Sequence, residues 1–193
     1  MGSRRFRLFG LRDVRLSGET PVIYARRFDG INDYMYFGSE LVLTGVGSIK
    51  FKGVINQTVA RLFSDAAGVD QFRSLNSTNE RLIIAGTVTN SATSFFADSF
   101  GVSVEWELKR VGSTMHYIRD GVTLQSLPCS AANTEIVYFA TRAALDAFFE
   151  IPVLEYIEVD GVRVDESNNW GGATIFGATL IESSDGGVTW SVV

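Results

Sequence analysis

Apolar and polar residues alternate with a period of two along much of this chain. Val102-Ser103-Val104-Glu105-Trp106-Glu107-Leu108-Lys109 shows the pattern most cleanly, apolar at every even position and polar at every odd one. A strand with one buried face requires it, because successive side chains leave a pleated backbone on opposite sides. Ile49-Lys50-Phe51-Lys52, Arg5-Phe6-Arg7-Leu8 and Asp13-Val14-Arg15-Leu16 alternate in the same way. Arg81-Leu82-Ile83-Ile84-Ala85 and Ile136-Val137-Tyr138-Phe139-Ala140 are short and mostly apolar, as central strands covered on both faces are.

Turn residues punctuate these runs. Asp-Gly occurs at Asp29-Gly30, Asp120-Gly121, Asp160-Gly161 and Asp185-Gly186. It supplies the positive φ angles of a two-residue type I′ turn. Tyr117–Arg119 with Val122–Leu124, and Tyr156–Val159 with Val162–Val164, are therefore expected to be hairpins. The only helix-like stretch is Thr141–Phe149. Roughly a dozen short strands without alternating helices predict an all-β, two-sheet antiparallel jelly-roll sandwich. The expected division is an Arg-rich N-terminal arm or edge strands over 1–24 and the sandwich over 25–193.

Composition agrees with a single large core. The chain has 193 residues, 46% of them hydrophobic, with 14 Phe, 6 Tyr and 3 Trp. Dominant disorder is excluded, since disordered chains lack the apolar area to offset chain entropy. No apolar run approaches the ~18 residues of a membrane span, and no partner membrane is expected. The start, Met1 to Arg7, has positive charge but no apolar run behind it, so no signal peptide is expected. Cys129 is the only cysteine, which suits folding in a reducing cytoplasm, with the thiol as a buried small hydrophobe.

Charge is distributed unevenly. Residues 1–27 hold Arg4, Arg5, Arg7, Arg12, Arg15, Arg26 and Arg27 against Asp13 and Glu19, a net +5. The rest has 10 basic and 20 acidic residues, a net −10. Nucleic acid would account for an arginine arm through its phosphates, but no recognition helix or aromatic platform accompanies it, so no nucleic-acid partner is expected. An acidic neighbouring subunit fits better, because Arg pairs with carboxylates through a planar fork. Arg4, Arg5, Arg7, Arg12 and Arg15 are the candidate assembly residues. A solvated edge strand guarded by charge is the other reading.

Three segments in order resemble the laminin-G-like and concanavalin-A-like sandwich domains. Arg27-Phe28-Asp29-Gly30-Ile31-Asn32-Asp33-Tyr34 is similar to that family's opening "FDGxxDYV" strand. Trp106–Arg110 followed by Tyr117-Ile118-Arg119-Asp120-Gly121 looks like its tryptophan strand and "lYvdG" hairpin, and Phe149–Ile157 stands where its closing core strand does. The resemblance implies a jelly-roll used for glycan or protein binding, and domains of this kind occur in bacteriophage tail and capsid-surface proteins. The expectation is a virion structural or accessory protein of a phage-like particle. It would be made in the host cytoplasm and joined to other virion proteins and to its own copies through the arm. The alternatives are a lectin module for a cell-surface glycan and a glycoside hydrolase. At the C-terminus Ser183–Trp190 matches the "SxDxGxTW" Asp-box, in which Asp accepts backbone hydrogen bonds and Trp packs beneath.

Candidate chemistry is sparse. Laminarinase-type glycosidases with this sandwich place carboxylates at E-x-D-x-x-E on one strand, so that two of them flank the sugar. The nearest match, Glu158-Val159-Asp160-Gly161-Val162-Arg163, has Arg163 in place of the third carboxylate. Glu105 and Glu107 share a face, but a solvent-facing one. His116 is the only histidine, and no G-x-S-x-G accompanies it, so no catalytic residues and no enzyme activity are expected. Calcium is the one metal the residues suggest, at the oxygen-rich turn of Asp29, Asn32 and Asp33. Asp and Asn are equally good turn formers without it. Glycan binding would use Asn168, Asn169 and Trp170, an aromatic ring beside two amides in a loop. That tryptophan as a lid over the core is the competing reading.

Overall fold

The computed structural model describes residues 20–56, 60–74, 80–91, 95–96, 99–141, 145, 148 and 150–193. The alternating segments at 5–8 and 13–16, with Arg4, Arg5, Arg7, Arg12 and Arg15, lie outside the described residues. So does most of the helix-like stretch at 141–149.

Two antiparallel sheets form the sandwich that the alternation predicts. The nine-stranded sheet runs in the order β10 (Val122–Pro128), β9 (Thr114–Arg119), β8 (Val104–Val111), β3 (Val46–Val54), β12 (Glu150–Val159), β1 (Ile23–Asp29), β15 (Thr179–Ser183), β16 (Ser191–Val192). A further strand, β13 (Val162–Asp165), also pairs with β12. The seven-stranded sheet runs β14 (Thr174–Phe176), β2 (Tyr34–Leu43), β11 (Thr134–Phe139), β4 (Ala60–Ser64), β5 (Gln71–Ser74), β6 (Glu80–Ile84), β7 (Thr87–Asn90). One 3-10 turn, Glu166–Gly172, follows β13.

The core lies between the sheets and is dominated by rings. Phe51 stacks on Trp106 with centroids 5.1 Å apart, and Phe51 meets Phe139 of the opposite sheet edge-on at 6.0 Å. Phe72 and Tyr117 make a second cross-sheet contact at 6.1 Å. Offset and edge-on geometries suit the ring quadrupoles, and each ring removes a large apolar area from water. Cys129 is buried as expected of a small hydrophobe.

Local sequence explains most elements. The hairpins β9–β10 and β12–β13 turn at Asp120-Gly121 and Asp160-Gly161, all four with positive φ, as type I′ turns require. The Asp160 carboxylate also accepts hydrogen bonds from Ser48 N at 2.7 Å and Thr44 Oγ1 at 2.8 Å, tying this turn to the β2–β3 connection. The Asp-box acts as a hairpin device. Asp185 accepts from the N–H groups of Val188 (3.0 Å) and Thr189 (2.9 Å), while Trp190 packs on Ala25, Val153 and Ile181 outside the main core. Hydrogen bonds from Ser183 and Thr189 hold the Asp185 carboxyl well below the usual carboxylate range.

Two features depart from the alternation. Strand β8 begins at Val104, and Val102, expected to face inward, lies exposed before it. At the other end of β8 the inward phase falls on Arg110, which is fully buried. Its guanidinium donates to the carbonyls of Leu43, Thr44, Ser130 and Ala132, so the charge is taken out of water with four of its five N–H donors occupied. Burial lowers the Arg110 pKa.

Strand β12 is the irregular one. Opposite β1, Arg26 pairs with Leu154 and Phe28 with Ile151, so β12 carries an extra residue there. Opposite β3, Gly53 pairs with Leu154 and Lys52 with Tyr156, so Glu155 is extra again. Each bulge shifts the side-chain phase by one. Ile151, Leu154 and Ile157 therefore all reach the main core at a spacing of three, while Val153 turns to the outer face. Pro152 sits in the first bulge, where a missing N–H costs least.

Gly53 is fitted to this distortion: a Cβ there would lie 1.9 Å from the Val153 carbonyl oxygen. Gly53→Ala is expected to destabilise the protein by about 2–3 kcal/mol, the cost of overpacking where backbone has to move. Urea unfolding checks this: the midpoint should fall with the slope unchanged.

Candidate functional site

The bulges on β12 split its edge between two partners. Strand β1 pairs with β12 up to Leu154, and β13 pairs with it from Tyr156 onward. Glu155 stands at the fork. On the outer face there, β1, β15, β13 and the 3-10 turn border a cleft of about 610 Å³. Val22, Ile23, Tyr24 and Leu180 form its apolar side, and Glu155, Arg163, Asp165, Glu166 and Ser167 its polar side. Tyr24 is 43% exposed, an accessible ring beside fixed polar groups.

Every charged group of the cleft is held by a second residue. Glu155 accepts from Lys52 Nζ at 2.9 Å and from Ser103 Oγ at 3.1 Å. Arg163 lies 3.9 Å over the Tyr156 ring and donates from Nε to Asp165 at 2.8 Å. Asp165 also accepts from the Ser167 N–H at 2.9 Å and caps the 3-10 turn. Burial works against the Asp165 charge, but hydrogen bonds from Ser167 and Arg163 outweigh it and keep this carboxyl below its ordinary range. Glu166 takes a bidentate pair from Arg26, at 3.0 and 2.8 Å.

Glu166 accepts a third hydrogen bond, from Trp170 Nε1 at 2.7 Å. This overturns the expectation for Trp170. The indole is fully buried in the main core and is not presented for stacking on a sugar. Asn169 and Trp170, both at φ +51°, begin a left-handed run that continues through Gly171 and Gly172. Left-handed backbone costs a non-glycine residue roughly 1–2 kcal/mol. Burial of the indole and its bond to Glu166 offset that cost. Asn168 is exposed, but its side chain completes the capping box with Asp165, and its amide donates to the Arg163 carbonyl at 2.8 Å. Asn169 is exposed. The loop does border the cleft, through Glu166 and Ser167 and not through the three residues that the composition singled out.

At the expected calcium turn the carboxylates serve backbone amides. Asp29 Oδ1 accepts from the N–H groups of Ile31 (2.8 Å) and Asn32 (3.4 Å), and Asp33 Oδ2 accepts from the Asp29 N–H (2.9 Å). Burial, more than the neighbouring Asp29 charge, raises the Asp33 pKa, which disfavours its anionic form as a ligand. Among the described residues no group of three or more His, Cys, Asp and Glu is arranged to hold a metal ion. The turn reading accounts for Asp29, Asn32 and Asp33.

The other carboxylates weighed for hydrolysis are also engaged. Glu158 pairs with Lys50 at 3.4 Å, Asp160 is the turn clamp already described, and Glu105 accepts from the Tyr156 hydroxyl. Burial, then that bond to Glu105, pushes the Tyr156 phenol well above its ordinary pKa. His116 Nδ1 lies 2.7 Å from Ser126 Oγ on the adjacent strand, a cross-strand contact.

Sequence reading missed Tyr24, Arg26, Glu155 and Glu166. The signal for Glu155 was present: the apolar doublets Val153-Leu154 and Tyr156-Ile157 flank it and break the alternation, as a bulge does. Nothing local marked Tyr24 or Arg26, whose partners are distant in sequence.

No family model and no curated protein matches this chain. A solved structure, the native heptameric SAP-like pentraxin from Limulus polyphemus, aligns with a TM-score of 0.56 at 10% identity, over 86% of this chain and 98% of that one. That likeness shows the fold, a jelly-roll of the concanavalin-A-like type. Because Trp170 is a core residue, Trp170→Ala is expected to cost about 3–5 kcal/mol of stability. A thermal melt checks this; an unchanged melting temperature would put the indole outside the core.

Proposed function

We propose that this protein is a carbohydrate-binding module whose saccharide site is the cleft at the β12 fork. The observation that carries the reading is an accessible tyrosine ring set against carboxylates whose positions are already fixed. A sugar offers an apolar C–H face to a ring and hydroxyl donors to carboxylates, and both kinds of partner are present within one cleft of about 610 Å³. That volume lies in the range of small-ligand sites. Glu155, Asp165 and Glu166 each have a cationic partner, in Lys52, Arg163 and Arg26. The site therefore carries little net charge and suits a neutral saccharide.

Binding without cleavage is part of the proposal. A glycosidase needs two carboxyl groups free to act on the glycosidic bond, whereas Glu155, Asp165 and Glu166 are each ion-paired, with Lys52, Arg163 and Arg26. The test is a glycan array probed with the full chain, with and without calcium, followed by titration of the best neutral glycan. Tyr24→Ala and Glu155→Gln are each expected to weaken binding about tenfold or more, the scale of one hydrogen bond to a charged group. Retention of no glycan, or wild-type affinity in both variants, would overturn the reading.

We also propose that the Arg-rich segment assembles copies of this chain, with a place on a phage-like particle as the finer form of that idea. The charge division supports it, +5 over residues 1–27 against −10 over the rest. The structural neighbour is described as heptameric, an oligomer built on the same fold. Native mass measurement of the full chain and of a chain lacking residues 1–16 tests it. An oligomer that becomes a folded monomer on deletion is expected; the same mass for both would sink the assembly role.

A further inference from the structure

The apolar side of the cleft is mostly aliphatic. Tyr24 is its one ring, and Val22, Ile23 and Leu180 make up the rest. Val22 is 48% exposed, and among the described residues none of these three aliphatic side chains belongs to a buried core cluster. Alternation puts Val22, Tyr24 and Arg26 on one side of the chain, and Leu180 of β15 is the cross-strand partner of Arg26. Val22 and Leu180 therefore flank the ring, one on each side along β1. The polar groups follow the same axis. Leu154 of β12 stands opposite Arg26, and Arg163 of β13 stands opposite Glu158, four residues further along β12. Since β12 is antiparallel to β1, Arg163 lies at the Val22 end of the cleft.

That end has donors to fill as well as acceptors. Arg163 is half exposed and donates to Asp165 through Nε alone, which leaves both Nη groups without a protein acceptor among the described residues. A ligand that shields them from water has to supply a strong acceptor instead. A carboxylate on the ligand is opposed by Glu155, Asp165 and Glu166, which line the same cleft. The acceptor that fits is neutral. Among the acids, Glu155 keeps the most capacity for a ligand donor, because each of its oxygens accepts a single hydrogen bond. Asp165 Oδ1 already accepts two from Ser167, and Glu166 Oε2 accepts from both Arg26 and Trp170.

We infer that the cleft selects an N-acetylated amino sugar: the acetamido carbonyl accepts from Arg163, the amide N–H donates to Glu155, and the methyl group lies on Val22. The inference rests on the cleft being the saccharide site and adds which sugars it takes. One acetamido group supplies what that end of the cleft calls for, a neutral acceptor, a donor and a methyl group in one planar unit. A 6-deoxy sugar has a methyl group without the amide. A free amino sugar lacks both the carbonyl and the methyl group. An unsubstituted hexose can meet the carboxylates, but it sets hydroxyls against the aliphatic Val22.

Calorimetric titration of the full chain tests this with N-acetylglucosamine and N-acetylgalactosamine, each beside its parent hexose and its free amino sugar. Fucose serves as the 6-deoxy probe. At least one acetylated sugar is expected to bind about tenfold or more tighter than its parent, the scale of one methyl group in an apolar pocket. That ratio should fall to a third or less in Val22→Thr and in Arg163→Gln. It compares two ligands on one sample, so partial unfolding of a variant does not change it. Equal binding of acetylated sugars and their parents would overturn the inference. So would fucose binding as tightly as the acetylated sugar, an unchanged ratio in either variant, or no binding of any of these sugars. The saccharide reading of the cleft is judged separately, by the glycan array and by whether Tyr24→Ala weakens whichever sugar binds.

Discussion

One strand has to satisfy two partners along one edge, and much of the outer architecture follows from how it does so. β12 pairs with β3 on one side from Val153 to Val159, yet on the other it meets β1 first and β13 later. Two bulges make the division workable. They turn Val153 outward to seat Trp190, bring Leu154 and Ile157 to the main core, and leave Glu155 between the two neighbouring strands. Gly53 gives the bulged backbone room on the β3 side. The cleft is the space left where β1 and β13 diverge.

Charged side chains complete that region by binding elements that share no ladder. Arg26 on β1 grips Glu166 on the 3-10 turn, and Glu166 in turn receives the Trp170 indole. The left-handed turn is held by these contacts, since its backbone conformation is unfavourable in isolation. Arg110 does comparable work at the far end of β8, where one buried guanidinium collects carbonyls from two loops. In both places a cation with several fixed donors substitutes for regular strand pairing.

The parts of this arrangement that were legible in the sequence are those set by local chemistry. Asp120-Gly121 and Asp160-Gly161 specify their hairpins because few other dipeptides take two positive φ angles cheaply, and β8 is visible because its alternation is unbroken from Val104 to Lys109. The Asp-box is equally local. The cleft was not legible, because it depends on a phase slip in β12 and on pairings between residues more than a hundred positions apart, such as Arg26 with Glu166. Trp170 was misleading for a physical reason: its neighbours Asn169, Gly171 and Gly172 look like an exposed loop. They are there to permit the left-handed backbone that swings the indole inward.

A sandwich of this kind hosts unrelated activities, so the functional claim has to stand on the cleft and not on the fold. The claim is that the β12 fork is the place where a neutral saccharide binds. Amide chemical-shift mapping of the full chain during titration with neutral oligosaccharides addresses it most directly. Shifts concentrated at Tyr24, Glu155, Arg163, Ser167 and Leu180 are the predicted result. Shifts confined to another face, or none at saturating sugar, would contradict the account.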